Sequence, residues 1–207
     1  MAAPDGMFIT FEGIDGSGKS TQARLLADRI PDAVLTREPG GSPGAEEIRA
    51  LLLTGDPARW SAETEILLFT AARRDHLEKT IRPALLAGRT VICDRFADST
   101  RIYQGATRGD LRAAVDRLHD LMIGQEPDLT FIIDMDPVLA LERGLARRSG
   151  EDRFEEMGLA FQETLRHGFL HLAHDHPERC VVIAGQRPPE EIAAEIAAQV
   201  AARMEPV

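Results

Sequence analysis

The chain has 207 residues, 43% of them hydrophobic, which suffices for one sizeable α/β domain with a buried core and argues weakly against two. Its 34 acidic against 24 basic residues leave a formal charge of −10, which opposes nonspecific binding to nucleic acid, so any polyanion must be held by a local basic site. No run approaches the roughly twenty apolar residues of a membrane span, and no N-terminal stretch has the form of a signal peptide, so a cytoplasmic protein is expected.

The first expected element is a strand over 7–12, short, apolar and rich in β-formers. Directly after it, Gly13-Ile14-Asp15-Gly16-Ser17-Gly18-Lys19-Ser20 fits G-x-x-x-x-G-K-[ST], and Leu25, Leu26 and Ile30 recur at helical spacing through 20–30. Strand, glycine-rich loop and helix in that order describe a phosphate cradle. Its backbone N–H groups must close around phosphate oxygens, which a Cβ at the tight positions would obstruct; Lys19 then reaches the terminal phosphates and Ser20 offers its hydroxyl to Mg²⁺. The helix N-terminus points at the bound anion. The chain is therefore expected to bind ATP or GTP, whereas a flexible Gly/Ser linker would lack flanking elements with hydrophobic periods.

Further strands are expected over 33–36, 90–93, 129–133 and 180–184, alternating with helices near 44–53, 62–87, 110–123, 137–148, 154–173 and 189–204. That alternation predicts an α/β chain with a five-stranded, mainly parallel sheet covered on both faces, a three-layer αβα domain spanning 1–207. Cys93 and Cys180 lack metal-ligand spacing and fall in expected buried strands, which favours free thiols in a reducing compartment over a bridge. The carboxyl ends of the strands carry the polar sequence: Gly13 onward, Arg37-Glu38-Pro39-Gly40-Gly41, Asp94-Arg95-Phe96 and Asp134. In open α/β sheets ligands bind at that edge, so these segments should converge on one cleft.

Several residues there suit phosphate chemistry. Asp94 emerges where a water on Mg²⁺ could sit near Ser20, and Arg95 is placed to grip a phosphate bidentately; Asp134, ending another strand, is the alternative metal partner. Arg143, Arg147, Arg148 and Arg153 surround Ser149-Gly150. A charge run is usually a solvated face, but this one, at about 143–156, suits a mobile lid that closes over ATP and neutralises the transferring phosphoryl group. Phe69 and Arg73, four positions apart in one expected helix, share a face on which an aromatic plate and a forked donor could read a planar base; an aromatic in a central helix is more often core. His167, His171 and His174 have the spacing of a metal site, yet no carboxylate or Cys pattern completes it, and surface histidines are the better reading.

Taken together, these motifs resemble bacterial thymidylate kinases, with the similarity running over about 7–196. It is carried by Phe11-Glu12-Gly13 through Ser20-Thr21-Gln22, Thr36-Arg37-Glu38-Pro39-Gly40-Gly41, Leu67-Leu68-Phe69 through Arg73, Asp94-Arg95-Phe96-Ala97-Asp98-Ser99-Thr100 with Tyr103-Gln104-Gly105, and Asp152-Arg153-Phe154-Glu155. The resemblance implies a P-loop NTPase fold and transfer of the γ-phosphoryl group of ATP to dTMP, with Mg²⁺, in dTTP biosynthesis. By position, ATP would be held by the loop from Gly13 through Thr21, by Arg147, Arg148 and Arg153, and by Arg187 in a loop resembling the segment that borders adenine. Phe69 would stack on thymine, Arg73, Thr100 and Gln104 would hydrogen-bond its edge or surroundings, and Arg37 and Arg95 would hold the dTMP phosphate with Ser99 nearby. Asp15 would face the sugar 3′-hydroxyl and Tyr103 would crowd the 2′ position.

The loop holds Gly16 and Ser17 rather than arginine, so the chain resembles the type with its catalytic arginine in the lid, Arg153 being the first choice beside Lys19, Asp94 and Arg95 as catalytic groups. Phe96 and Arg101 depart from the family pattern and are expected to touch none of this chemistry. The family is homodimeric, with apolar faces of the helices near 62–87 and 110–123 as the candidate contact. Two other readings compete: a kinase for another nucleoside monophosphate, and a GTPase-like switch, against which stands the absence of an Asn-Lys-x-Asp motif or a switch-like Asp-x-x-Gly after a strand.

Overall fold

Five strands, Phe8–Glu12 (β1), Val34–Arg37 (β2), Val91–Asp94 (β3), Leu129–Asp134 (β4) and Cys180–Ala184 (β5), pair in parallel in the order β2-β3-β1-β4-β5 in the computed structural model, which describes residues 6–56, 59–106, 110–147 and 157–204. Between them run helices α1 (Lys19–Ala27), α2 (Pro43–Leu53), α3 (Ala62–His76), α4 (Arg82–Leu86), α5 (Ala97–Thr100), α6 (Arg112–Met122), α7 (Pro137–Arg147), α8 (Leu159–Asp175) and α9 (Pro189–Met204).

The inner strands are buried almost throughout because helices cover both sides, which is why their sequences are runs of apolar residues rather than alternations. On one face Ile9, Phe11, Phe131 and Ile133 pack with Leu26 of α1 and with Ile192, Ile196 and Val200 of α9. On the other, Phe8, Val91 and Cys93 pack with Leu77, Ile81 and Phe96, while Ile132 packs with Leu165, Phe169 and Leu172 of α8. These are the three layers expected. Both cysteines are free and buried. Register places Asp94 beside both Phe11 and Arg37, so the carboxyl ends of β1, β2 and β3 are adjacent, and the winding reverses at β1. That is where such sheets hold ligands.

Three stretches differ from expectation. The helix expected over 62–87 widens into a π-turn at Leu77–Ile81. Pro83 explains it, since its missing N–H and bulky ring cannot continue the ladder to the carbonyl four residues back. Helix α8 begins at Leu159 rather than 154, because Gly158 stands at its N-cap with φ 84°, outside helical geometry. The stretch after β3, expected only as a motif, is helical: α5 runs directly into a π-turn over Arg101–Ala106.

That stretch rests on a buried ionic cluster. Asp98 accepts hydrogen bonds from Arg101 Nη1 at 2.8 Å and from Arg179 Nη1 and Nη2 at 2.7 and 3.1 Å. Arg101 continues to Asp116 at 2.9 Å and Glu126 at 2.6 Å, and Arg179 to the Thr130 hydroxyl at 3.1 Å. Arg101 thus departs from the family pattern for a structural reason: it joins α5, α6 and the approach to β4. Burial pushes the Asp98 carboxyl up, but the hydrogen bonds and charge of Arg179 and Arg101 outweigh burial and hold it below its ordinary value.

Candidate active site

The loop between β1 and α1 is shaped by close approach. Gly16 has φ 81°, and a Cβ there would lie 1.9 Å from the Ala140 carbonyl oxygen of α7, so only glycine lets the loop pack against that helix. Lys19 is buried, donates to the Ile14 carbonyl at 2.7 Å and lies 4.0 Å from Asp15. Burial, reinforced by the positive charge of Arg95, lowers its ammonium to about 8, while Asp15 and Asp94 act in the opposite sense. An arriving phosphate would replace a neutral carbonyl partner with an anion.

A cleft of about 280 Å³ opens over the carboxyl ends of the strands. Asp15, Gly16, Gly18, Lys19 and Ser20 form its phosphate-loop wall. Arg37 enters from β2, Phe69 and Arg73 from α3, Asp94 and Arg95 from the end of β3, and Ser99, Thr100, Tyr103 and Gln104 from the helical stretch beyond. The convergence expected from the strand ends is therefore present.

Arg95 is the hub of the middle of the cleft. Its φ of 69° lies in the left-handed region that non-glycine residues rarely adopt, which turns the chain sharply out of β3. The guanidinium pairs with Asp15, donates to Ser99 Oγ at 2.9 Å and Tyr103 Oη at 3.2 Å, and stands 5.0 Å from the Tyr103 ring. Tyr103 in turn donates to Asp15 at 2.9 Å. Burial alone would raise the Asp15 carboxyl; Arg95 and Lys19 outweigh it and keep it below the ordinary range, so it accepts hydrogen bonds as a carboxylate.

Farther from the loop, Arg73 is 3% exposed and engaged through its Nε and Nη2. Its Nε donates to Glu38 at 2.7 Å, and its Nη2 donates to Thr100 Oγ1 at 2.8 Å and the Phe96 carbonyl at 3.2 Å. His76 Nδ1 stands 3.2 Å from the second Glu38 oxygen. Gln104 Nε2 donates to the buried Glu65 at 3.1 Å. The expectation that Phe96 stays clear of the chemistry is corrected, for it lines the cleft and its ring lies 5.2 Å beneath the Arg73 guanidinium.

Cation ligands can be judged from the carboxylates. One Asp94 oxygen is buried without a hydrogen-bond partner among the described residues, and the residue lines the cleft with Ser20, a donor set that suits a hard cation. Asp134, the alternative, has both oxygens taken by Arg166 at 2.6 and 2.9 Å. Among the described residues no group of three or more His, Cys, Asp or Glu side chains gathers as metal ligands, so His167, His171 and His174 do not form a site; His171 pairs with Asp175 at 3.1 Å instead.

Not every expected residue reaches the cleft. Gly13, Ile14, Ser17 and Thr21 shape or follow the loop without lining it, and Arg187 pairs with Glu195 on α9. Arg148, Arg153, the side chain of Arg147 and most of the expected lid lie outside the described residues. Glu38 and Pro39, expected at the cleft only as part of a strand-end segment and given no role, line it, as do Arg49 and Leu53, which were not singled out. For Glu38 a signal existed, since a buried arginine in the base region requires a buried carboxylate partner and Glu38 follows Arg37 in a strand-end motif.

A parallel sheet with a phosphate loop after its central strand, facing Arg95, Phe69 and Arg73 across one cleft, defines a P-loop phosphotransferase acting on a nucleotide. A family model described as "Thymidylate kinase" matches residues 11–196. A thymidylate kinase of Dinoroseobacter shibae is 72% identical over 93% of this chain and 95% of its own length, and one of Ruegeria pomeroyi is 65% identical over 92% of each. The crystal structure of thymidylate kinase from Ehrlichia chaffeensis superposes with a TM-score of 0.77 at 39% identity, covering 95% of this chain and 99% of that one. The chain belongs to the thymidylate kinase family. It is a transferase of nucleotide biosynthesis that phosphorylates dTMP to dTDP with ATP as donor.

Proposed function

We propose that the cleft binds dTMP with its phosphate on Arg95 and Arg37 and Ser99 beside it, its thymine against Phe69, and the base edge within reach of Arg73, Thr100 and Gln104. Asp15 faces the 3′-hydroxyl and Tyr103 leaves no room for a 2′-hydroxyl. ATP lies with its phosphates along the loop from Gly13 to Thr21, under Lys19, and a lid at about 143–156 brings Arg147, Arg148 or Arg153 over them, with Arg187 toward adenine. Ser20 and Asp94 would hold Mg²⁺, which when bound would neutralise charge on the donor phosphates. The observation that carries this reading is that two cations, the buried Lys19 of the loop after β1 and the partly buried Arg95 beyond the end of β3, line one cleft with Phe69 and Arg73. Transfer then needs alignment and charge neutralisation rather than covalent participation. A second copy docks on the face where Leu67 of α3 and Leu121 of α6 are 58% and 74% exposed. The enzyme works in the cytoplasm; among the described residues no helix is long and apolar enough to cross a membrane.

The test is ADP formation with dTMP, dUMP, dCMP, dGMP, AMP or no acceptor, with and without a chelator. Turnover should be greatest with dTMP, should exceed dUMP by the roughly 10- to 200-fold that one methyl group can discriminate, and should stop on chelation. Preference for another acceptor would overturn the base-site assignment, and acceptor-independent hydrolysis would favour the switch. Within this site, Arg73→Ala should raise the KM for dTMP at least about tenfold and that for ATP much less, the mark of a contact confined to one substrate. Equal increases would remove Arg73 from the acceptor site.

A further inference from the structure

Glu12 ends β1, is 0% exposed and has no part in the chemistry above. Its carboxylate accepts hydrogen bonds from Phe96 N at 2.8 Å, Ser99 N at 3.2 Å and Ser99 Oγ at 2.6 Å. All three donors belong to the segment that follows β3: Phe96, which adjoins Arg95, and Ser99 in α5. The Ser99 hydroxyl also accepts from Arg95 Nη1 at 2.9 Å. A guanidinium can only donate and a carboxylate can only accept, so the hydroxyl between them fixes one direction along the chain Arg95, Ser99, Glu12. Arg95 meanwhile holds the left-handed φ of 69°, a conformation that persists only where the surroundings over-determine it. Burial, and then the negative charge of Asp98, raise the Glu12 carboxyl to about 7, against the pull of Arg95 and the Ser99 hydrogen bond.

We propose that Glu12 is a positioning residue that holds Arg95 on the acceptor phosphate through Ser99 and the backbone of its turn, without touching either nucleotide. This rests on the reading of Arg95 as the acceptor's phosphate grip. Asp15 and Tyr103 hold the guanidinium toward the phosphate loop and the sugar, whereas its Nη1 edge is held by Ser99 Oγ at 2.9 Å and, at a longer 3.3 Å, by the Gly13 carbonyl. Losing Glu12 therefore loosens the shorter of the two holds on that edge and relaxes the segment beneath it.

Glu12→Gln keeps the shape but puts an NH₂ donor in place of one oxygen, so in either orientation a donor meets a donor: the amide faces Ser99 Oγ, which already accepts from Arg95, or it faces the backbone N–H groups of Phe96 and Ser99. Assayed at about pH 8, where the wild-type carboxyl is ionised, the variant should show a KM for dTMP raised about tenfold or more, the usual effect of losing an outer-layer partner. The KM for ATP should stay within about twofold, and so should the competitive inhibition constant of thymidine, which carries the base and sugar but no phosphate. Glu12→Asp keeps the charge but falls one methylene short of Ser99, so it must show the same split and serves if the glutamine variant does not fold. An unchanged KM for dTMP, or a thymidine constant that rises in step with it, would overturn the proposal. Arg95→Lys, run in parallel, separates the two levels. If it raises the KM for dTMP while the Glu12 variants do not, only the role of Glu12 falls; if it does not, the reading of Arg95 falls and takes that role with it.

Discussion

Replacing Lys19 by alanine is expected to lower kcat by roughly two to three orders of magnitude, the usual effect of deleting one group that stabilises charge developing in the transition state. The fold should be unharmed. Lys19 is buried with a neutral carbonyl as its hydrogen-bond acceptor, and burial holds its ammonium at about 8, so the native state already disfavours this charge. Its removal leaves the thermal midpoint unchanged or higher. The same shift gives a signature in the wild type. Between about 8 and the ordinary 10.5 the unfolded chain binds the proton that folded Lys19 has released, so this group makes stability rise with pH through that window. Cys93 and Cys180, whose thiols burial pushes up, act in the opposite sense over the same window, so the test is a difference: on going from the lower to the upper end, the urea midpoint of the wild type should change more favourably than that of Lys19→Ala. Near-normal turnover in a folded Lys19→Ala protein would remove the loop lysine from catalysis.

The largest loss of stability is expected at Asp98, whose carboxylate joins Arg101 and Arg179 and does not line the cleft. Asp98→Asn leaves two buried guanidinium groups facing an amide, and breaking a buried ion pair in this way typically costs about 3–5 kcal/mol. For a chain of this size that is a fall in thermal midpoint of about 10 °C. Asp98 also carries a pH signature of opposite sense to that of Lys19. Its folded value lies below the ordinary 3.8, so the stability it contributes is present above that pH and is lost as the pH falls through the folded value. The asparagine variant should lack this part of the acid sensitivity. Unfolding followed by circular dichroism at neutral and acid pH would check both statements, and a thermal midpoint within two degrees or so of the wild type would show that the cluster contributes little.

The two positions differ in how far the sequence exposes them. Lys19 stands in a contiguous motif whose spacing, flanking strand and following helix announce its role, because a phosphate loop is built almost wholly from neighbours along the chain. Asp98 and Arg101 sit in a segment with a recognisable motif, yet nothing near them indicates Arg179, which is 81 positions from Asp98. The same contrast runs through the cleft. Phe69 and Arg73 could be placed together because four residues make one helical turn, whereas Glu38, 35 positions from Arg73, could be found only by asking what neutralises a buried guanidinium. Pro83 was available as a signal for the break in the long helix.

By itself, then, the sequence determined the alternation of strands and helices, the parallel sheet, the phosphate loop and the set of strand ends that meet at one edge, since each depends on local periodicity or on residues a few positions apart. It also determined the family, through several motifs in a particular order. Only the tertiary structure decided which carboxylate is spoken for, with Asp134 bound by Arg166 and an Asp94 oxygen unpartnered among the described residues. It alone decided that Glu12, at the end of an otherwise apolar strand, lies beneath Ser99 and behind Arg95. Buried polar groups must be satisfied, but their partners are chosen by packing between elements distant along the chain, and that choice leaves no pattern in either partner's own neighbourhood.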